Sequence, residues 1–150
     1  MINHKDKALL DAVAEHIHRF RKFDVVSSIG AVQSNVADAE KLIAKKIRDT
    51  DKMVVNENGI YVVIYDYTDL EGAQVAFGRM VEAFDKLSDG KIVTLAAFTR
   101  IYDDDVTPEK VLHRLDEILL DAWKTEHSLA LDDRDYFAKH NRFTVDFSDL

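Results

Sequence analysis

The sequence predicts an α/β (α+β) fold, in which a central mixed five-stranded sheet carries helices on both faces. Helical and strand-like segments follow one another in the order αβαββαβαβ, and two adjacent strands are joined by Asn58-Gly59, a strong signal for a tight antiparallel hairpin. The chain has 150 residues, of which 47% are apolar, enough for one domain with a substantial core. We therefore expect residues 1–150 to form a single domain.

Apolar spacing predicts each element in turn. Residues that recur every three or four positions predict helices at 5–22, 36–48, 69–87 and 107–123. Continuous or alternating apolar runs predict strands at 25–33, 53–55, 60–65, 92–101 and 142–147. Asp69 and Thr107 are the expected N-caps of the last two helices. Gly30, inside the first strand, is expected to mark a close approach to the backbone.

Composition limits the classes of function. The net charge is −8 and cysteine is absent, which excludes disulfides, a thiol nucleophile and cysteine-ligated metals. This charge repels nucleic acids and anionic membranes, so we expect neither a nucleic-acid partner nor direct membrane insertion. No signal-peptide pattern opens the chain, and no apolar run approaches the roughly 18 residues that span a bilayer. These observations predict a soluble, cytoplasmic protein.

The sequence shows no motif for metal binding or hydrolysis. The six histidines are scattered without metal-ligand spacing. Ser27-Ser28 lies inside a predicted strand and lacks a nucleophile-elbow pattern. Asp103-Asp104-Asp105 could hold a divalent cation but is more simply a solvated loop, and the polar run 132–135 is most simply a connection. We therefore expect no catalytic residue of these classes, no bound metal and no resident cofactor.

Several strings carry a resemblance to a known family. The hairpin string Glu57-Asn58-Gly59-Ile60-Tyr61 precedes a short apolar strand, and the later strings are YTDLEGAQVAFGRMVEAF, TPEKVLHRLDEILLDAWK and KHNRFTVDF. In their order and their nearly gapless spacing from 48 to 81, these strings resemble the GGDEF domain of bacterial diguanylate cyclases. The resemblance covers most of residues 20–147, with an insertion near 126–138. It implies the palm-like fold of nucleotidyl cyclases.

The same resemblance implies that the cyclase site is degenerate. In the family, carboxylates at the end of the first strand and in the hairpin hold two Mg²⁺ ions on GTP. Those two positions are Gln33 and Gly59 here, and the family's guanine-recognising segment is missing. The other altered positions of the signature are Glu57, Asn58, Ile60 and Tyr61. Glu57 replaces a glycine that lets the backbone approach phosphates, so we expect no cyclase activity.

The resemblance also implies that this chain keeps the residues of the family's inhibitory product site. Arg48-x-x-Asp51 ends six residues before Glu57, at the family's spacing, and Arg79 falls on the arginine of the next helix. The implied ligand is cyclic di-GMP. An arginine fork can bond guanine O6 and N7, and a carboxylate can accept from the N1–H and N2–H₂ edge. With i, i+3 spacing on a helix, Arg48 and Asp51 would share one face.

A simpler interpretation of these residues stays open. Arg-x-x-Asp occurs three times, as Arg21/Asp24, Arg48/Asp51 and Arg100/Asp103. Each is compatible with a surface ion pair worth less than about 1 kcal/mol. Arg79 is similarly compatible with a solvated helix position paired with Glu82. If the site binds cyclic di-GMP, the Arg48→Ala variant should lose binding and still fold normally, since an exposed arginine contributes little to stability.

Three functional hypotheses follow. The first is a catalytically silent GGDEF-like receptor that binds cyclic di-GMP through Arg48, Asp51 and Arg79. It would regulate an unidentified protein partner in bacterial signalling, such as exopolysaccharide, biofilm or motility machinery, and a ligand-linked homodimer fits this site class. Because little precedes the first helix, we expect it to act in trans. The alternative is a protein-interaction or dimerisation scaffold that binds no ligand, and the third hypothesis is an active GTP-using enzyme.

Overall fold

The computed structural model describes residues 1–140, so the predicted strand at 142–147 lies outside the described residues. The elements are α1 (Lys7–Phe23), β1 (Ser27–Gln33), α2 (Ala39–Lys46), β2 (Lys52–Val55), β3 (Ile60–Asp66), α3 (Leu70–Leu87), β4 (Leu95–Arg100), α4 (Pro108–Trp123), β5 (Leu129–Leu131) and α5 (Arg134–His140). No helix among residues 1–140 is both long enough and apolar enough to cross a membrane. The predicted N-caps are confirmed, since the side chain of Asp69 accepts from Gly72 N and that of Thr107 from Lys110 N.

The five strands form one sheet in the order β2-β3-β1-β4-β5. Strands β2, β3, β1 and β4 pair antiparallel, whereas β5 runs parallel to β4, so the predicted mixed five-stranded sheet is confirmed. The central strand β1 is buried from Ser27 to Val32, which explains why its sequence reads as a nearly continuous run of small and apolar residues.

Helices cover both faces of the sheet, as predicted. Alternate residues of β3 divide between two apolar clusters, because successive side chains of a strand point to opposite faces. Val62 and Ile64 belong to the cluster that contains the buried faces of α1 and α4. Val63 and Tyr65 belong to the cluster that contains the buried faces of α2 and α3.

The end of the described chain departs from the sequence prediction. The segment read as an insertion and polar connection contains strand β5 and helix α5. A three-residue strand carries too few positions to show alternation, which is why its sequence gave no strand signal. The fifth strand of the described sheet is therefore β5, at a place where the sequence predicted none.

The two acidic runs are not simply solvated. Asp105 is fully buried, and its Oδ2 lies 2.6 Å from Nη2 of Arg114, itself 2% exposed. Asp133 is also buried and accepts hydrogen bonds from the hydroxyls of Thr99 and Tyr102, both at 2.6 Å. Burial and the bond to Asp133 raise the pKa of Tyr102. The sequence prediction was wrong for these two aspartates because the buried Arg114 on α4 compensates the charge of Asp105, and two hydroxyl groups hydrogen-bond Asp133.

Gly30 marks a close approach, as the sequence predicted. A Cβ added at Gly30 would lie 2.3 Å from the Cζ atom of Phe77 on α3. The Phe77 ring also stacks on Phe98 at 5.3 Å between centroids and meets Tyr65 edge-on at 5.1 Å. Phe77 therefore packs α3 against the sheet, in the space that the missing side chain of Gly30 leaves open.

We expect Gly30→Ala to lower the free energy of unfolding by about 1–3 kcal/mol, because the added methyl group overpacks a dense aromatic cluster. Urea unfolding measures this change. In a Phe77→Leu background the same substitution should cost less, since the smaller side chain leaves room for the methyl group. An equal cost in both backgrounds would contradict the contact.

Candidate functional site

The sheet presents two candidate regions at its opposite ends. The hairpin that carries the degenerate signature lies where β3 begins, and the Arg48–Asp51 segment lies where β3 ends. Asp66 lies six residue steps along an extended strand from Ile60, a distance of about 20 Å. The two regions are therefore separate sites.

At the hairpin end, the predicted tight turn is confirmed. Asn58 and Gly59 both have positive φ angles, 59° and 70°. Gly59 O accepts from Ser34 N at 3.1 Å, and a Cβ added at Gly59 would lie 3.1 Å from Ser34 O. Gly59 is thus required for the turn and for the contact between the turn and Ser34. The residue before Ser34, Gln33, pairs with Ile60 in the sheet.

The remaining signature positions are occupied by structural contacts. Ile60 is fully buried, and Tyr61 packs at the edge of the α2–α3 cluster. A shallow recess beside Gln33 is lined by polar, apolar and cationic side chains, including Asn35, Lys91 and Trp123, with no carboxylate among the described residues that line it. Within residues 1–140, no group of three or more His, Asp or Glu side chains is placed to hold a metal ion.

An N-terminal segment, residues 1–6, fastens the hairpin in place. Asn3 N donates to Asn56 Oδ1 at 2.8 Å, and Asn3 Nδ2 donates to Glu57 Oε1 at 3.0 Å. Ile2 is buried in the core, and its N–H donates to Asp116 of α4 at 3.0 Å. Sequence reasoning missed this segment because contacts more than 50 residues apart leave no local pattern.

At the other end of the sheet lies a cleft of about 630 Å³, between the end of α2, the end of β3 and the start of α3. Arg48 and Asp51 line it, together with Lys46 and two tyrosines, Tyr65 and Tyr67. Burial raises the pKa of Tyr65 to about 12, and the nearby Asp51 charge acts in the same direction. Tyr65 therefore presents a neutral hydroxyl-bearing ring to the cleft at neutral pH.

Arg48 and Asp51 form a multiply bonded pair in which the carboxylate is buried and the guanidinium is partly exposed. Asp51 Oδ2 accepts from Arg48 N at 2.7 Å and from Arg48 Nε at 3.1 Å. Asp51 Oδ1 accepts from Arg48 Nη2 at 3.0 Å and from the N–H of Asp66 at 3.1 Å. The side chain of Asp51 has no exposed surface, whereas that of Arg48 is 57% exposed. These bonds engage both carboxylate oxygens within the protein.

The helix-face prediction for this pair was wrong. Helix α2 ends at Lys46, and Ile47 is extended, with φ −100° and ψ 155°. Arg48 and Asp51 instead close a turn, in which Asp51 N donates to Arg48 O at 2.9 Å. The apolar spacing of α2 continues through Ile47, so the sequence pattern did not show where the helix ends.

The guanidinium of Arg48 is fixed from several sides. Its Nη2 donates to Asp66 O at 2.6 Å and to Thr68 Oγ1 at 2.9 Å, besides Asp51. The bond to Asp51 raises the pKa of Arg48. Nη1 makes no hydrogen bond to a residue in 1–140, so its two N–H donors remain available at the wall of the cleft.

All three Arg-x-x-Asp sequences lie within residues 1–140, and in that part of the chain Arg48/Asp51 is the one that forms an ion pair. Arg21 donates instead to the carbonyl of Asp103, and Arg100 donates to that of Ile101. The structure thus separates Arg48 and Asp51 from the other two occurrences, a distinction that the sequence drew only from the spacing to the hairpin.

Arg79 lies outside the lining of the cleft. It is exposed on α3, three residues after Ala76 and seven after Gly72, which both line the cleft, so all three share one helix face. Arg79 makes no ion pair with Glu82 and no hydrogen bond within the described part of the chain. The structure therefore brings Arg48 and Asp51 together and places Arg79 one turn beyond the cleft.

We expect Arg48→Ala and Asp51→Ala each to lower the free energy of unfolding by about 2–4 kcal/mol, contrary to the expectation that Arg48 is dispensable. The first removes the charge partner of a buried carboxylate, and the second leaves the buried N–H of Asp66 without its acceptor. In urea unfolding, the double variant should cost less than the sum of the single variants. Arg21 and Asp24, which form no pair, provide the matched cycle and should be additive. Additivity at Arg48 and Asp51 would contradict the pairing.

Comparison with solved structures establishes the fold. No protein-family model matches the chain, and no curated protein matches its sequence. The GGDEF domain of DgcB from Caulobacter crescentus, in complex with c-di-GMP, matches with a TM-score of 0.74 at 8% identity, covering 84% of this chain and 88% of that chain. The active GGEEF domain of a diguanylate cyclase from Vibrio cholerae gives 0.76 at 13% identity, covering 85% and 96%.

A third similar structure includes a protein partner. Diguanylate cyclase SiaD from Pseudomonas aeruginosa, in complex with its activator SiaC, gives a TM-score of 0.71 at 14% identity, covering 84% of this chain and 57% of that chain. At such identities the likeness establishes the fold. The chain thus has a GGDEF-like, palm-like α+β fold, as its sequence predicted.

Proposed function

We propose that the protein is a catalytically silent receptor that binds cyclic di-GMP in the cleft beside Arg48. The observation that carries the proposal is that the Arg48 guanidinium is held in place and still has unused hydrogen-bond donors. Asp51, Asp66 and Thr68 hold it in one orientation at the cleft wall, with both donors of Nη1 unused within residues 1–140. A cation fixed before binding loses little side-chain entropy when a ligand arrives, which favours affinity.

The cleft suits the chemistry of this ligand. Arg48 Nη1 can donate to the O6 and N7 edge of guanine or to a phosphate oxygen. Lys46 also lines the cleft and adds a positive charge that offsets the negative charge of Asp69, another lining residue, in a chain whose net charge is −8. Arg79, exposed on the same face of α3, is placed to meet a part of the ligand that extends beyond the cleft.

The proposal gives Asp51 a positioning role. Because its buried carboxylate already accepts four hydrogen bonds, it holds Arg48 and does not read the guanine edge directly. The complex of the DgcB GGDEF domain with c-di-GMP supports the ligand class, since that domain shares this fold.

The residues at the hairpin end of the sheet support the proposal that the protein has no cyclase activity. Gln33 and Gly59 supply no negative charge for Mg²⁺ at the two positions where the fold's cyclases need it. Glu57 is hydrogen-bonded to Asn3, and Gly59 is packed against Ser34. We infer that this hairpin now has a structural role.

The output is regulation of a partner protein. SiaD, which shares the fold, is found in complex with an activator protein, and this supports a protein-binding surface on the present chain. We propose a cytoplasmic receptor that acts on an unidentified partner, such as exopolysaccharide or motility machinery. Cyclic di-GMP would link two copies into a homodimer, because arginines of the second copy can complete a site that is open on one side.

One observation favours the alternative of a ligand-free interaction or dimerisation scaffold. Both carboxylate oxygens of Asp51 accept hydrogen bonds from Arg48, so the motif has a structural role even without a ligand. A stable oligomer or a captured partner, together with no binding of guanine nucleotides, would support this alternative.

Calorimetric titration with cyclic di-GMP tests the receptor. We expect binding below about 100 µM, and Arg79→Ala should weaken it about tenfold or more, which corresponds to about 1.4 kcal/mol. Arg79 makes no hydrogen bond and no ion pair within residues 1–140, so its loss should leave the fold intact. Lys86→Ala, which removes an exposed cation from the same helix seven residues further on, is the matched control and should bind normally. Absence of heat at about 100 µM ligand with wild-type protein would overturn the receptor proposal.

Incubation with GTP and Mg²⁺ or Mn²⁺ tests the enzyme hypothesis. We expect no cyclic di-GMP, because two metal-binding carboxylates are absent from the hairpin end of the sheet. The Gln33→Asp/Gly59→Asp double variant should remain inactive, since Glu57 still repels phosphates and Gly59 needs its positive φ. Turnover of GTP by the wild-type chain would contradict the argument from Gln33 and Gly59.

A further inference from the structure

Tyr67 has an unusual backbone and an unusual exposure. Its φ angle is 51°, in the left-handed region that disfavours bulky side chains, yet the residue is a tyrosine. The residue is 68% exposed, and it lines the cleft that holds Arg48. Glycine or asparagine would adopt this conformation at lower cost. The chain therefore maintains an exposed ring in a strained position beside the candidate site.

The residues on either side of Tyr67 are anchored. The carbonyl of Asp66 accepts from Arg48 Nη2, and Thr68 Oγ1 accepts from the same atom. The N–H of Thr68 donates to the carbonyl of Val26 at 3.1 Å. Because both neighbours are held, the direction in which the chain projects Tyr67 is set before any ligand arrives.

One face of the ring already has a partner. The guanidinium of Arg19 lies 5.7 Å from the centroid of the Tyr67 ring. Arg19 Nη1 is itself held by Asp66 Oδ2 at 3.1 Å, and Asp66 is buried. A cation against one face fixes the ring and leaves its other face for a second planar group.

We propose that Tyr67 is a stacking platform for a purine base in this cleft. The base lies against the face of the ring opposite Arg19, and its polar edge meets the free donors of Arg48 Nη1. Stacking recognises the π-face of any base, whereas the arginine favours the acceptors O6 and N7 of guanine. This assignment rests on the proposed function and deepens it, because it names a recognition residue that the Arg-x-x-Asp motif does not contain.

The test is the affinity of four proteins for cyclic di-GMP, measured by calorimetry. Tyr67→Phe keeps the ring and should bind within about twofold of wild type. Tyr67→Asn removes the ring and should bind about tenfold or more weakly. Asparagine tolerates positive φ, so the urea midpoint of this variant should equal or exceed that of wild type, which separates binding from folding. Trp123→Ala removes an equally exposed ring, 65% exposed, from another pocket and should bind normally.

Each outcome distinguishes the two proposals. Wild-type binding that Tyr67→Asn retains would overturn the stacking role and leave the receptor proposal standing. An equal loss in Tyr67→Phe and Tyr67→Asn would also overturn stacking, since the hydroxyl would then be the recognition group. Absence of binding by the wild-type protein would overturn the receptor proposal, and the assignment of Tyr67 with it.

Discussion

The buried carboxylate of Asp51 is the constraint on which this end of the molecule depends. A charge without exposed surface must be neutralised and hydrogen-bonded, or the segment that carries it moves into water. Arg48 meets this requirement from the same turn, and the N–H of Asp66 adds the contact that ties the turn to β3. Arg48 then extends to Thr68 at the start of the α3 connection. One ion pair therefore holds the end of α2, the end of β3 and the approach to α3 around a single cleft.

The sequence predicted the elements that repeat over many residues and missed those that depend on a single contact. Periodicity located α1, α3 and α4, and the Asn58-Gly59 turn located the hairpin, because these signals are local. Strand β5 was missed because three residues show no period. Asp105 was misread because its partner, Arg114, sits within the apolar pattern of a helix, and charge spacing alone does not reveal burial.

The sequence predicted which residues form the candidate site, but it did not predict how they are arranged. Arg48 and Asp51 were identified through the resemblance, but whether a carboxylate faces a cleft or the interior depends on where α2 ends, and apolar spacing runs past that point. Arg79 was assigned by the same resemblance and lies one turn from the cleft. Tyr67 was overlooked because a positive φ at a tyrosine results from its anchored neighbours, and no sequence pattern reports that conformation.

The N-terminal segment has a consequence for how the molecule opens. Residues 1–6 bond to the hairpin through Asn3 and to α4 through Ile2, whose side chain is inserted in the core. Peeling β2 away from β3 therefore breaks the contacts of Asn56 and Glu57 with this segment. In amide hydrogen exchange, we expect the hairpin and the first residues of the chain to open together as one unit of local unfolding, although more than 50 residues separate them in sequence. Because β2 begins at Lys52, directly after Asp51, the bond from Asp66 N to Asp51 Oδ1 holds the other end of β2 to β3.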